Sequence, residues 1–281
     1  MKKIMLLMMV FLLAVSIFAQ SEDDFQVGLT ADGKGVVIKK YIGKEAVVKI
    51  PATIQGMPVR EIGEEAFYEN AIITSVNIPQ GVIKIGNEAF SGLYYKSKLT
   101  SISLPEGLIE IGDGAFSNCP LTSITFPQSL TILGTNAFCG TNLTSVTFSK
   151  NLRRIGSAVF SGCENLKTVT IPEGWIRIPN AGIAGMFQEC TALTTISLPS
   201  TLKEIGEKTF YGCSALATIA LPASITTIQY QAFAGCTALT TVTIPETVEN
   251  ISFDRGAFHL CSKLNLASQI ALRRVGYTDD F

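Results

Sequence analysis

The chain has 281 residues with 22 basic and 23 acidic side chains, so its formal net charge is only −1. Charged residues make up 16% of the sequence, and no basic stripe is interleaved with aromatic residues. This composition excludes the electrostatic footprint of a protein that binds nucleic acid or anionic lipid.

Residues 1–19 are predicted to be a secretory signal peptide. Lys2 and Lys3 precede an apolar run from Ile4 to Val15, and Ile17-Phe18-Ala19 offers a cleavage site. The alternative is a retained membrane anchor, but the apolar run is shorter than the roughly 20 residues that a spanning helix needs. Removal takes the 22 basic residues to 20 against 23 acidic ones, a net charge of −3. We expect a secreted or cell-surface protein with no membrane span after the signal is removed.

Residues 20–50 are predicted to form an N-terminal cap. Two strand-like runs, Phe25–Thr30 and Val36–Tyr41, flank the turn-rich segment Ala31–Gly35. This pattern predicts a β-hairpin. Its expected task is to cover the open apolar end and the unpaired strand edge of the coils that follow.

Residues 51–266 consist of repeats. A phenylalanine recurs at steps of 22 to 27 residues, in segments that resemble Ile-Gly-x-x-Ala-Phe. These residues, called here the phenylalanine column, are Phe67, Phe90, Phe116, Phe138, Phe160, Phe187, Phe210, Phe233 and Phe258. A second marker keeps the same period: Pro51, Pro79, Pro105, Pro127, Pro172, Pro199, Pro222 and Pro245, with Ser149 in place of one proline. The period near 23 predicts about nine coils of a solenoid.

Each repeat contains the elements of one coil. In Leu193–Pro199, apolar Leu193, Ile196 and Leu198 are separated by small or β-branched polar residues, which predicts a short strand. The proline ends the strand because it has no N–H to donate to a neighbour. One coil cannot bury its apolar walls alone, whereas coils stacked about 4.8 Å apart bury them continuously.

Residues 267–281 are predicted to form a C-terminal cap. Ser268–Val275 has the pattern of a short helix, with Ser268 as N-cap and Gly276 after its last turn. The tail Thr278–Phe281 is expected to be loose.

The segment Leu99–Cys119, LTSISLPEGLIEIGDGAFSNC, resembles the consensus of bacterial leucine-rich repeat proteins of the BspA-like surface antigen type. The resemblance extends from Phe25 to Leu266. It implies a right-handed leucine-rich repeat solenoid, mainly β with short strands and irregular corners, capped by the hairpin and the helix. It also implies a protein at the cell surface or secreted, in a family whose members act as adhesins or recognise host proteins.

Six of the seven cysteines follow a column phenylalanine by three residues: Cys119, Cys163, Cys190, Cys213, Cys236 and Cys261. This spacing indicates one inward-facing column of free thiols, with an occasional disulfide or a metal site as alternatives. The lone histidine, His259, is expected to be an exposed corner residue. No catalytic group or cofactor site is indicated, so we expect no enzyme activity.

Two features are candidates for a ligand surface. The first is a row of strand hydroxyls that point away from the core, among them Thr122, Thr125, Thr144, Thr147, Thr168 and Thr195. These threonines are also simply good polar strand formers. The second feature is a pair of insertions into the repeat, one with Tyr94, Tyr95 and Lys96 and the other with Asn180 and Met186. Insertions in solenoids often carry the binding surface.

Two classes of function remain open. The favoured one is a monomeric recognition module or adhesin that binds host or neighbouring-cell proteins or glycans. The alternative is a structural or self-associating envelope protein without a specific ligand. Saturable binding of the purified mature protein distinguishes the first from the second.

Overall fold

The computed structural model describes residues 20–92, 97–179 and 184–281. The described chain winds into stacked coils of short strands joined by turns, with a 3-10 helix at Glu22–Asp24 and one short α-helix at the C-terminal end. This confirms the predicted capped β-solenoid. The predicted signal peptide lies outside the described residues.

The strands lie in chain order along the coils. They are β1 Phe25–Leu29, β2 Val36–Tyr41, β3 Val47–Lys49, β4 Thr53–Ile54, β5 Met57–Ile62, β6 Ser75–Asn77, β7 Lys84–Ile85, β8 Ser101–Ser103, β9 Glu110–Ile111, β10 Ile132–Leu133, β11 Ser145–Thr147, β12 Arg154–Ile155, β13 Thr168–Thr170, β14 Arg177–Ile178, β15 Thr195–Ser197, β16 Glu204–Ile205, β17 Thr218–Ala220, β18 Thr227–Ile228, β19 Thr241–Thr243 and β20 Ser252–Phe253. The helix α1 is Leu266–Arg274.

The coils present two faces made of parallel strands. The strand face holds the three-residue strands, which pair as β3–β6–β8, β11–β13–β15 and β17–β19. The second face pairs as β2–β5–β7–β9–β10–β12 and as β14–β16–β18–β20. Strands from successive coils pair in register because successive repeats have similar lengths.

The core is organised around the phenylalanine column. Its nine rings stack one on the next with centroid separations of 4.7 to 5.8 Å and interplanar angles of 5 to 21°. The rings are buried throughout. Each therefore contributes hydrophobic burial and an offset-stacked aromatic contact to both neighbouring coils.

The N-terminal hairpin continues this stack. β1 pairs antiparallel with β2, and β2 pairs parallel with β5 of the first coil. The Tyr41 ring stacks on Phe67 at 5.3 Å, and Phe25 packs on Tyr41 at 5.4 Å. The hairpin thus covers both the apolar end and the strand edge, as the sequence predicted.

The C-terminal cap differs from the prediction in its starting residue. The helix begins at Leu266, and the N-cap is Asn265, whose side chain accepts a hydrogen bond from the Ser268 N–H at 2.8 Å. The Ser268 hydroxyl is instead buried and accepts the Val242 N–H at 2.9 Å. Ser268 is used in this way because Val242 lies on β19, the last strand of the strand face, whose outer edge has no further strand to pair with.

The C-terminal tail is fixed, contrary to the expectation that it is loose. The Asp279 carboxylate accepts the Gly256 N–H at 2.6 Å, and Arg273 lies 4.8 Å from the Phe281 ring centroid. Tyr277 packs edge-on against Phe258 at 5.4 Å between ring centroids. A tyrosine therefore extends the aromatic column into each cap, Tyr41 at one end and Tyr277 at the other.

All seven cysteines are free thiols, and all except Cys139 are buried. The six buried thiols each donate to the carbonyl oxygen of the column phenylalanine in the preceding coil, at 2.9 to 3.2 Å. The predicted cysteine column is confirmed. For Phe138, Phe160, Phe187, Phe210 and Phe233 the thiol is a second donor, because each of these carbonyl oxygens also accepts a backbone N–H from its own coil.

Two residues later than each column phenylalanine, the backbone commonly adopts a left-handed conformation. Gly140, Gly162, Gly212 and Gly235 occupy this position with φ of 67 to 75°. In the last coil the residue is Leu260, with φ 65° and a side chain that is 55% exposed. A branched side chain is strained in this conformation by about 1–2 kcal/mol.

We expect Leu260→Gly to stabilise the protein by about 1 kcal/mol, because the relief of strain exceeds the greater chain entropy of glycine when unfolded. The reverse change, Gly162→Leu, is the matched control, since its Cβ would meet no atom closer than 3.8 Å. It should destabilise by a similar amount. Thermal unfolding of both variants measures this, and a lower melting temperature for Leu260→Gly contradicts it.

Candidate functional site

The strand face is the candidate site, and its geometry follows from the alternation of side chains along a strand. In β11, β13 and β15 the middle residues, Val146, Val169 and Ile196, point inward and pack in or against the core. The residues on either side point outward. Strand pairing aligns Ser145 with Thr168 and Thr195, and Thr147 with Thr170 and Ser197.

These six outward hydroxyls form two rows, called here the hydroxyl rows. All six side chains are exposed. None of them makes a side-chain hydrogen bond to a residue in the described ranges. Neighbouring rungs of a sheet are about 4.8 Å apart, so the rows present donors and acceptors at regular spacing.

The hydroxyls just before the strands have a different role. Thr100, Thr194 and Thr240 each donate to a backbone carbonyl of the preceding coil, at 3.1 to 3.3 Å. They therefore join coils together and are occupied within the fold. The sequence pattern alone did not separate these threonines from the free ones.

The structure brings together three of the predicted site residues. Thr147, Thr168 and Thr195 lie on adjacent strands of one sheet. Thr144 is exposed and directly precedes β11. Thr122 and Thr125 are also exposed, but no strand is assigned to residues 121–127, so the strand face is interrupted there between β8 and β11.

Met186 was predicted to belong to the ligand surface, and this is wrong. Its side chain is 1% exposed and lies in the core next to Phe187. An unbranched apolar side chain adjacent to the phenylalanine column fills core volume and cannot contact a ligand. Tyr94, Tyr95, Lys96 and Asn180 lie outside the described residues.

Sequence analysis missed a cluster of arginines on the second face. Arg153 and Arg154 lie in one coil, and Arg177 lies in the next. Trp175 is half-buried beside them and packs against the core, with its ring centroid 5.1 Å from that of Phe148. The available signal was an Arg-Arg pair followed one repeat later by Trp-Ile-Arg.

Metal sites and membrane-spanning helices have no support within the described ranges. No group of three or more histidine, cysteine or carboxylate side chains there could hold a metal ion. His259 is exposed, as expected. Within the same ranges, no helix combines the length and the apolar character that membrane crossing requires.

A stack of about nine coils with repeated hydroxyls on an exposed sheet defines a solenoid of the leucine-rich repeat class, a repeat module for recognition and binding. The chain belongs to the BspA type leucine-rich repeat family. The family model described as "BspA type Leucine rich repeat region" matches residues 60–186 and 183–272, in six copies.

The chain is also similar to solved structures of other leucine-rich repeat proteins. The leucine-rich repeat protein TpLRR of T. pallidum is 31% identical, with 93% of this chain and 98% of that chain covered and a TM-score of 0.49. A leucine-rich repeat protein from Bacteroides ovatus is 23% identical, with 86% and 80% covered and a TM-score of 0.53, and supports the fold. None of the curated proteins matches the chain.

Proposed function

We propose that the protein is a secreted or cell-surface recognition module that adheres to host or neighbouring-cell proteins or glycans. The hydroxyl rows on β11, β13 and β15 carry this proposal. Membership of a family that is typically surface-associated supports the location, together with the signal-like residues 1–19. The protein has no catalytic role in this proposal.

The hydroxyl rows suit a polar, uncharged ligand. Their six side chains carry no charge, and each hydroxyl can both donate and accept. Sugar hydroxyls and exposed peptide groups have the same dual character. Because such contacts recur on each strand, binding strength accumulates over the length of a ligand.

The alternative function is a structural envelope protein that associates with itself. A regular array of coils with the same polar face on each would suit side-by-side packing. Self-association without saturable binding to any foreign protein or glycan would favour this alternative.

The test is binding of purified residues 20–281 to panels of extracellular matrix proteins and glycans. We expect saturable binding that Thr168→Lys with Thr195→Lys weakens at least tenfold, since two lysines on paired positions crowd and charge the hydroxyl row. Ser252→Lys is the matched control, because Ser252 is an exposed strand hydroxyl on the second face. It should leave binding unchanged. Equal loss in both variants contradicts a site on the strand face.

Discrimination between ligands is assigned to the insertions, because the hydroxyls recur whereas Tyr94 and Tyr95 occur once. In the same assay we expect Tyr94→Ala with Tyr95→Ala to weaken binding at least tenfold, since loss of a true aromatic anchor costs about 2 kcal/mol or more. If this variant binds normally while Thr168→Lys with Thr195→Lys does not, recognition belongs to the strand face alone.

A further inference from the structure

The second face is interrupted at one place in the described chain, between β12 and β14. In the coils before this point, the residue after the strand donates its backbone N–H to the preceding strand, as Gly134 does to the Ile111 oxygen and Gly156 to the Leu133 oxygen, both at 2.8 Å. Pro179 occupies the corresponding position after β14. Proline has no N–H, so it cannot make this bond to Ile155.

On both sides of the interruption, backbone groups lack a partner among the described residues. Within the described ranges, the carbonyl oxygens of Arg153 and Ile155 accept no hydrogen bond, and the N–H groups of Ile176 and Arg177 donate none. The coils remain joined elsewhere, because β11 pairs with β13 and the Phe160 N–H donates to the Met186 oxygen. The opening is therefore confined to the second face.

A cleft of about 420 Å³ lies at this interruption, called here the arginine cleft. It is lined by Leu152, Arg153, Arg154, Ile155, Gly174, Trp175, Ile176, Arg177 and Pro179. Ile176 is 59% exposed, and half-buried Trp175 supplies an aromatic wall. The lining includes no acidic side chain.

The charge of the cleft is unbalanced, unlike that of neighbouring rungs. On the same face, Lys84 pairs with Glu110 of the next coil at 3.1 Å. Arg153, Arg154 and Arg177 form no ion pair with the described residues. Glu204, on the rung beyond Arg177, accepts instead from the Gln229 side chain at 2.8 Å. Three exposed guanidinium groups are thus available for bidentate contact with carboxylates.

We infer that the arginine cleft binds an extended, acidic peptide segment of a partner protein, at a site separate from the hydroxyl rows. Guanidinium groups hold the peptide's carboxylates, and Trp175 and Ile176 contact an apolar side chain between them. The unpaired backbone groups distinguish a peptide from an anionic glycan. They comprise donors and acceptors along a strand, and an extended peptide main chain carries both at strand spacing, whereas the donors of an anionic glycan are ring hydroxyls without that repeat.

The experiment uses residues 20–281 and a fluorescent nonapeptide of alternating glutamate and valine, with polarisation as the readout. Three comparison probes are the same peptide with glutamine for glutamate, a version N-methylated at alternate residues, and a heparin hexasaccharide. The test variant is Arg154→Gln with Arg177→Gln. The matched control is Arg60→Gln with Arg255→Gln, which removes the same charge from exposed positions outside the cleft.

The inference predicts saturable binding of the acidic peptide, weakened at least tenfold in the cleft variant and less than twofold in the control. It also predicts at least tenfold weaker binding of the glutamine and N-methylated peptides by the unaltered protein. Thr168→Lys with Thr195→Lys should retain peptide binding, so failure of the proposed function and of this inference are separable.

Three results would overturn the inference that the arginine cleft binds an acidic peptide. Equal weakening in the cleft and control variants would show attraction to net charge alone. Equal binding of the N-methylated peptide would remove the backbone from recognition. Binding of the hexasaccharide without binding of the peptide would make the cleft a site for anionic glycan.

Discussion

Replacing Phe210 with alanine is expected to lower the free energy of unfolding by about 3–5 kcal/mol. The side chain is fully buried in the interior of the array. Its ring stacks on Phe187 at 5.7 Å and on Phe233 at 5.2 Å between centroids. Truncation therefore removes contacts with two coils at once and leaves a cavity that the stacked backbones cannot close.

Chemical denaturation followed by circular dichroism measures this loss. Thr195→Ala is the surface control and should cost less than about 1 kcal/mol, because its side chain is exposed and unbonded. Phe210→Leu separates volume from stacking, since it keeps most of the volume and should cost about 1.5 kcal/mol or less unless ring stacking adds to it. Equal, mild effects of Phe210→Ala and Thr195→Ala would mean that the phenylalanine column does not hold the coils together.

The sequence predicted the parts of this fold that repeat. A marker that recurs every 22 to 27 residues reports the coil, and the column position of each phenylalanine and cysteine reports which side chains face inward. The hairpin cap was predictable because its two runs and its turn are contiguous. The repeats were predictable because their markers recur in many copies, and the hairpin was predictable because its pattern is local.

The parts that could not be predicted depend on contacts between distant residues. Ser268 resembles an N-cap in sequence, but it is needed at the edge of β19, so Asn265 takes the cap instead. The tail is held by Gly256 and Phe258 of the last coil, which sequence patterns do not place beside it.

The strand-face part of the candidate site was predicted only as a list of threonines. Which hydroxyls are free depends on the distance to a carbonyl in the preceding coil, as for Thr194 and Lys167 at 3.3 Å. The arginine cleft depends on Pro179, a proline at a position that more often holds glycine. The effect of this proline is visible only in the structure, which shows that the coils before it use a backbone N–H at this position to bond the preceding strand.

The second large prediction is that the protein loses stability steeply above pH 9. Burial raises the pKa of the Cys119, Cys163 and Cys261 thiols to about 12, from an ordinary value of 9.0. Burial also raises the pKa of Cys190, Cys213 and Cys236 well above that value. A thiolate at these positions would lose its donated bond to the phenylalanine carbonyl as well as its hydration.

The direction of the effect follows from proton binding. Below pH 9 the thiols are protonated in both the folded and the unfolded chain, so their contribution to stability is fully present. Above pH 9 the unfolded chain releases these protons while the folded chain retains them until about pH 12. Stability then falls by about 1.4 kcal/mol per pH unit for each thiol, or about 8 kcal/mol per unit for six. Tyr277, whose pKa burial raises from 10.0 to about 12, adds to the loss at the top of this range.

Denaturant unfolding at pH 8 to 11 in the presence of a reductant measures this slope. Cys213→Ala with Cys236→Ala should reduce the slope above pH 9 by about 3 kcal/mol per pH unit, because two titrating groups are removed. Cys139→Ala is the matched control and should change the slope least. Cys139 is only partly buried, and its thiol donates no hydrogen bond to a phenylalanine carbonyl. A free energy of unfolding that stays constant to pH 10.5, or a slope that the double variant does not alter, would show that the buried thiols do not govern alkaline stability. The expected result instead identifies ionisation of the buried cysteine column as the cause of unfolding at high pH.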